Sequence, residues 1–332
     1  MPISVAMATF NGGRYLNEQL GSIAAQSLRP AELVVSDDGS SDDTLAIISS
    51  FSERAPFPVR MLPQDKQRGF ADNFLHAARA CRHDLIAFCD QDDIWLPHKL
   101  ATAAQRMDRD GSLLAMHRLT TTDEAMKPIG LWTQGIEKDD VFPPLMLDPY
   151  INGWGNSMLF RRWLVTEIPS DQRPRQPEHP ERPLSHDTWI YVLAAALGTV
   201  SHIAEPLVLY RQHGRNAIGV DQTGAAQKAK RKPPLSMRFL RERMVFYGHM
   251  TQLFDELART PGFAHAGAAQ AAAARYTKRR EPIAARFDIY DGPSLGSRLR
   301  AFLAMKPSPG LRLKSRVKDL ILGVAGLHTL LD

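Results

Sequence analysis

The sequence predicts an α/β protein built on a mixed, mainly parallel central sheet flanked by helices, with a helical extension at its C-terminal end. Three observations carry that prediction. Short apolar runs alternate with helical periodicity through residues 1–110, the pattern of βαβ units with right-handed crossovers. Three of these runs end in polar turns, at Asn11, Asp37–Asp38 and Asp90–Asp93, and parallel sheets gather ligands at the carboxyl ends of their strands. Residues 223–332 hold 20 Lys and Arg against 8 Asp and Glu, whereas residues 1–222 hold 21 against 28. An acidic front followed by a basic tail implies two jobs.

Each element has its own warrant. "ISVAMATF" reads as a strand closed by the turn signal "NGG", and Leu16, Leu20, Ile23 and Ala24 then recur at helical spacing. Leu33–Val35 repeats the plan, with Ser41 or Asp42 as N-cap of the helix "TLAIISSFSER". "FPVRMLPQ" is the third strand, "FADNFLHAARAC" the third helix and "DLIAFCD" the fourth strand. From about residue 112 the rhythm changes: "SLLAMHRL" reads as a strand, "TWIYVLAAALG" as a buried helix, and "VSHIAEPLVLYRQHG" as a strand or strand pair. The Pro-rich stretch from Ser170 to Trp189 reads as a surface loop, and "AAQKAKRKPP" as a basic connector. The predicted division is 1–222, with a first half 1–110 and a second half 111–222, then a basic helical region 223–332.

Composition narrows the class. The 332 residues are 44% hydrophobic and 23% charged, an ordinary globular balance. Cys81 and Cys89 sit in apolar context without disulfide or metal spacing. With no signal peptide and no spanning apolar stretch in the sequence, the expected location is cytoplasmic. No GxGxxG follows the first strand, which argues against a dehydrogenase. The basic half has no aromatic stacking pattern, which argues against nucleic acid.

The stretch "IAFCDQDDIWL" crowds Asp90, Asp92 and Asp93 at the end of an apolar run. Like charges this close push one another's pKa upward, so a compensating positive group is required. Two readings stand open. One is a divalent-cation and ribose site, since hard cations take carboxylate oxygen and share it with phosphates. The other is a cap, with Asp92 or Asp93 closing a helix that begins near Pro97.

Six segments together resemble the family 2 inverting glycosyltransferases, which have the nucleotide-diphosphosugar (GT-A) fold. They are "VAMATFNGGRYL", "LVVSDDGSSDDT", "QRGFADNF", "AFCDQDDIWLPHKL", "SHDTW" and "YRQHGRNAIG", in the family's order over residues 3–219. The likeness extends to bacterial enzymes of lipopolysaccharide and capsule assembly, rhamnosyltransferases among them. It implies that Ala8 and Phe10 line the base pocket and that Asp38 accepts from the pyrimidine N–H. Arg68, Gly69 and Asn73 would lie at the nucleotide, Asp90 at the ribose, Asp92 on Mn²⁺ or Mg²⁺, and Asp93 in support. Asp187 would be the general base for the acceptor hydroxyl; its ordinary reading is a helix cap, shared with Ser185. His213 would join the metal or the diphosphate, and Arg211 would add charge there. Trp154, His186 and Trp189 would form the acceptor side, His186 replacing an acidic residue common in relatives.

The resemblance implies a UDP- or dTDP-sugar donor, a saccharide or lipid-linked acceptor, and a role in cell-surface polysaccharide assembly. Its alternatives are a sugar-nucleotide pyrophosphorylase and a non-catalytic glycan-binding scaffold. In the tail, Leu295, Leu299 and Phe302 recur at helical spacing beside Arg298 and Arg300. That pattern fits peripheral contact with the anionic inner face of a membrane, and equally a helical subdomain packed on the catalytic core or on a dimer partner.

Overall fold

A computed structural model describes residues 1–64, 66–148, 153–176, 181–214 and 237–304, with residues 319 and 321. The connector from Ala225 to Pro234, Asn216 and nearly all of the stretch 311–331 lie outside the described residues. The chain divides into two compact units, Met1–Arg173 with Leu184–Ala226, and Pro174–Pro183 with Gln227–Asp332.

In the first unit, strands β1 (Ile3–Thr9), β2 (Glu32–Asp37) and β4 (Leu85–Cys89) are buried at every position, as parallel strands covered on both faces must be. β1 pairs in parallel with both β2 and β4, and β2 with β3 (Val59–Met61). β3 is shorter than the predicted run because Pro58 and Pro63 flank it and proline donates no ladder bond. Helices α1 (Gly13–Ala24), α2 (Thr44–Ser52) and α3 (Phe70–Ala80) supply the crossovers. The N-cap position of α2 is Asp43, one residue past the prediction, although Asp42 accepts from the Thr44 amide at 3.1 Å.

The second half changes direction. β9 (Met158–Arg161) inserts antiparallel between β4 and β6 (Leu114–Thr122). β10 (Val200–Arg211), a single strand rather than a pair, then runs parallel to β6. The full order is β3-β2-β1-β4-β9-β6-β10-β5, with β7 (Pro128–Trp132) on β6 and β8 (Asp140–Phe142) on β10. The two-residue β5 (Ile94–Trp95) pairs antiparallel with Val208 and Leu209. That pairing folds Asp90–Asp93 back beside the end of β10. Helix α4 (Lys99–Asp110) starts only after β5, with His98 at its N-cap position, so neither Asp92 nor Asp93 caps it. α5 (Trp163–Thr166) is a single turn, and α6 (His186–Leu197) is apolar all round and buried over nine consecutive residues, Trp189–Leu197.

The second unit is helical: α7 (Met237–Arg259), α8 (Ala266–Tyr290) and α9 (Leu295–Ala304). Tyr276 of α8 stacks on Phe254 of α7 with ring centroids 5.7 Å apart. Asp319 is buried and accepts from Arg286 Nε and Tyr290 Oη, each at 2.9 Å. At that point the basic tail packs into its own unit. Leu295, Leu299 and Leu303 of α9 are exposed.

Candidate active site

The three polar turns named from sequence meet at the carboxyl edge of the parallel strands. At the end of β2, Asp37 accepts from the Thr9 and Ser40 hydroxyls at 2.7 and 2.6 Å and from the Gly39 and Ser40 amides at 3.0 and 2.8 Å. Asp38 accepts from the Arg68 amide at 2.6 Å and the Gly69 amide at 2.9 Å, fixing the loop before α3. The Asn73 amide donates to the Ser36 carbonyl at 2.9 Å and the Thr9 carbonyl at 3.3 Å, joining the tips of β1 and β2. Its Oδ1 is buried without a partner.

Gln91 clamps the tip of β1 by accepting from the Phe10 amide at 2.9 Å and donating to the Phe10 carbonyl at 3.1 Å. The clamp needs glycine at position 12, where a Cβ would stand 2.2 Å from Gln91 Oε1. The Phe10 ring is half exposed and Ala8 is buried.

The acidic stretch after β4 separates into three environments. Asp93 is buried, accepting from Asn156 Nδ2 at 2.6 Å and the Arg211 amide at 3.3 Å. Burial and the Asp92 charge push it up to about 8, against the pull of Asn156, Arg211 and Lys99. Asp92 is partly exposed, and its Oδ2 lies 2.8 Å from His213 Nε2. The His213 ring stacks on Tyr15 at 4.8 Å. Among the described residues no donor reaches the Asp90 carboxylate. Burial, then the charges of Asp93, Asp92 and Asp187, drive it well above the ordinary carboxylate range.

Asp187 stands in the first turn of α6, where the helix dipole favours an anion. Ser185 holds the N-cap position, but its hydroxyl accepts from no backbone amide of the helix and instead donates to Asp187. Asp187 Oδ1 also accepts from the Thr188 amide at 2.6 Å. These bonds all fall on Oδ1 and leave Oδ2 without a donor among the described residues. Gly155 lets α6 approach, because a Cβ there would stand 2.7 Å from His186 Nε2 and 3.5 Å from Asp187 Cβ.

Several residues expected to touch a ligand are instead enclosed. Trp189 is fully buried, and His186 is stacked face to face on Phe74 at 4.0 Å with Phe88 edge-on at 4.8 Å. Neither presents surface to an acceptor. Burial brings His186 down to about 4, and its Nδ1 has no partner. Arg211 is buried too, donating to the Asp92 carbonyl at 2.9 Å, the Glu124 carbonyl at 2.8 Å and the Glu18 carboxylate. With its guanidinium also 4.5 Å over the Tyr15 ring, it braces the site from within rather than facing a diphosphate. Asn73 and Asp93 are likewise spent on protein partners. Trp154 is half-buried, edge-on to Tyr210 at 4.8 Å. The Arg68 guanidinium lies 3.3 Å from His76 Nε2.

Residues that the sequence reading passed over complete the picture: Gln91, Lys99, His117, Asn156, Tyr15, Glu18 and Glu124. Of these, Tyr15, Gln91 and Lys99 stood within the six segments already singled out. As a metal set, the candidates are few. Among the described residues no three His, Cys, Asp or Glu side chains converge on one point. Asp92 with His213 offers one carboxylate and one imidazole, a donor pair suited to Mn²⁺ or Mg²⁺ only when phosphate oxygens complete the shell.

Residues 4–161 match the model of glycosyl transferase family 2. The chain carries a family 2 glycosyltransferase domain. It is similar to an uncharacterized glycosyltransferase of Nostoc sp., 28% identical over 247 residues that cover 71% of this chain and 73% of that protein. It is also similar to the dTDP-rhamnosyl transferase RfbG of Shigella flexneri, 38% identical over 101 residues, which are 29% of this chain and 35% of that protein. Among solved structures, S. aureus TarS 1-349 in complex with UDP-GlcNAc superposes with a TM-score of 0.52 at 17% identity, covering 92% of this chain and 82% of that one. At that identity the likeness establishes the fold, which is GT-A. The family 2 match and the glycosyltransferase relatives, not the fold, make the chain a glycosyltransferase rather than a pyrophosphorylase or a scaffold. Among the described residues no helix is long and apolar enough to cross a membrane.

Proposed function

We propose that this glycosyltransferase moves a sugar, with inversion, from a UDP- or dTDP-sugar to a saccharide or lipid-linked acceptor in cell-surface polysaccharide assembly. One observation carries the reading. Asp90 shares a single electrostatic neighbourhood with Asp92 and Asp187, which come from different elements, while His213 reaches Asp92 from the end of β10. Carboxylates with acceptor capacity to spare, gathered at the carboxyl edge of a parallel sheet, are where a nucleotide diphosphate and its cation belong.

In this reading Asp38, the Gly69 loop and Phe10 face the nucleotide base, and Asp90 the ribose. Asp92 and His213 would hold Mn²⁺ or Mg²⁺ on the donor's phosphates, supplying Lewis-acid charge for the departing diphosphate. Asp187 orients its unspent oxygen toward the acceptor. It takes the hydroxyl proton as the acceptor oxygen bonds to the anomeric carbon and the bond to the diphosphate oxygen breaks. One base suffices, because the leaving group needs no proton. Trp154 marks the acceptor wall. The exposed leucines of α9, flanked by Arg298 and Arg300, support contact with an anionic membrane surface carrying a lipid-linked acceptor.

The test is the full chain with Mn²⁺, a lipid-linked acceptor extract, and dTDP-rhamnose, UDP-galactose or UDP-N-acetylglucosamine. The expected result is nucleoside diphosphate release from one donor, stimulated by the extract and stopped by chelation. Release from none of the three would overturn the donor assignment.

A further inference from the structure

The crowded carboxylates demanded a positive partner, and the fold contains one that is not a metal. Lys99, on the first turn of α4, is 2% exposed. Its Nζ donates to the Asn156 carbonyl at 2.7 Å and to His117 Nε2 at 2.8 Å, and lies 4.6 Å from the Trp95 ring. His117 Nδ1 is 2.7 Å from the Arg118 carbonyl, where it can only donate, so Nε2 is the acceptor and the ring is neutral. Asn156 in turn gives its side-chain amide to Asp93 Oδ2 at 2.6 Å. A continuous buried path therefore runs from the ammonium of Lys99, through both ends of Asn156, to Asp93. The Lys99 environment also senses the aspartates: burial lowers it to about 7, while the charges of Cys89, Asp93 and Asp90 oppose that fall.

We propose that Lys99 is the built-in counter-cation of the acidic cluster and that, acting through Asn156, it is a positioning residue for the Asp90–Asp93 loop. Asp93 is the fixed end of that loop, tied to Asn156 and to the Arg211 amide, and Asp92 is its neighbour. Holding Asp93 sets the direction in which Asp92 faces. A charge buried behind the cluster balances it from inside, so the loop keeps its shape before any ligand arrives. The consequence for ligand binding rests on the function proposed above; the charge pairing does not.

A double-variant cycle tests the pairing. Lys99→Met and Asp93→Asn, each in the full chain, are expected to lower the melting temperature by several degrees. The combined variant is expected to melt near the worse single one, because no unpaired charge is left buried. Losses that simply add would overturn the pairing, since a lysine that only fills space has no reason to couple. Should Lys99→Met fail to fold, a folded combined variant upholds the pairing and an unfolded one overturns it. Calorimetric titration with UDP and MnCl₂ tests the positioning role. Lys99→Met is expected to bind at least about fivefold more weakly than the unaltered chain, with the combined variant matching Asp93→Asn. Equal binding by Lys99→Met and the unaltered chain would overturn the positioning role. If the unaltered chain binds neither UDP nor, in a parallel titration, dTDP, the functional reading fails and the melting cycle alone decides the pairing.

Discussion

Two aspartate-rich turns close neighbouring parts of the same sheet, and their fates differ. After β2, Asp37 and Asp38 accept six hydrogen bonds from hydroxyls and backbone amides. After β4, Asp93 has its donors, while among the described residues the Asp92 carboxylate meets only His213 and the Asp90 carboxylate has no donor. A carboxylate supplied with donors by its own fold shapes a loop. One left without them keeps its affinity for something from outside, at the cost of a raised pKa. The same motif chemistry thus shapes a loop at one strand end and, in the function proposed above, leaves carboxylates for a ligand at the next.

Variants can break that contrast, and the largest effect is expected at Asp187. Asp187→Asn should lower kcat by about 10²–10⁴-fold, the ordinary worth of a general base, with donor affinity unchanged in calorimetry. Turnover that survives would move the base elsewhere. Asp92→Asn is expected to cost at least about tenfold in Mn²⁺-dependent UDP affinity, while stability changes little because the side chain is partly exposed. Asp37→Ala should do the reverse: a loss of roughly 2–3 kcal/mol in denaturant unfolding, from the hydroxyls and amides left unpaired, with UDP contacts untouched except through the loop. If Asp37→Ala spared stability and abolished binding, the division between the two turns would be wrong.

The last effect is a change of slope. His186 stays neutral in the folded chain down to about pH 4, whereas an unfolded histidine takes its proton near 6.5. Between those values only the unfolded state gains a proton, so this residue's contribution is intact above about 6.5 and lost as the pH falls toward 4. His186→Phe removes that loss. Its stability relative to the unaltered chain should improve by on the order of 3 kcal/mol as the pH drops across this window. An unchanged difference would show that His186 titrates normally in the fold.

Much of this was legible in the chain itself, wherever the signal is local. The alternation of β1 through β4 with α1 to α3 shows as periodicity, and the polar turns at their ends show as composition. The placement of β9 between β4 and β6 does not, because residues 158–161 find partners more than forty positions away on either ladder. Trp189 was misread as acceptor surface although "TWIYVLAAALG" is apolar on all sides, which already means burial. Arg211 and Lys99 were hard for the opposite reason. A cation in a polar segment looks solvated until tertiary structure brings Glu18 to one and Asn156 and His117 to the other.

Gln91 grips residue 10 entirely by its main-chain amide and carbonyl. The framework at the carboxyl edge of the parallel strands therefore makes no demand on which side chain grows from that backbone. A lineage is free to exchange the ring at position 10, while Gln91 and the glycine opposite it must travel together unchanged.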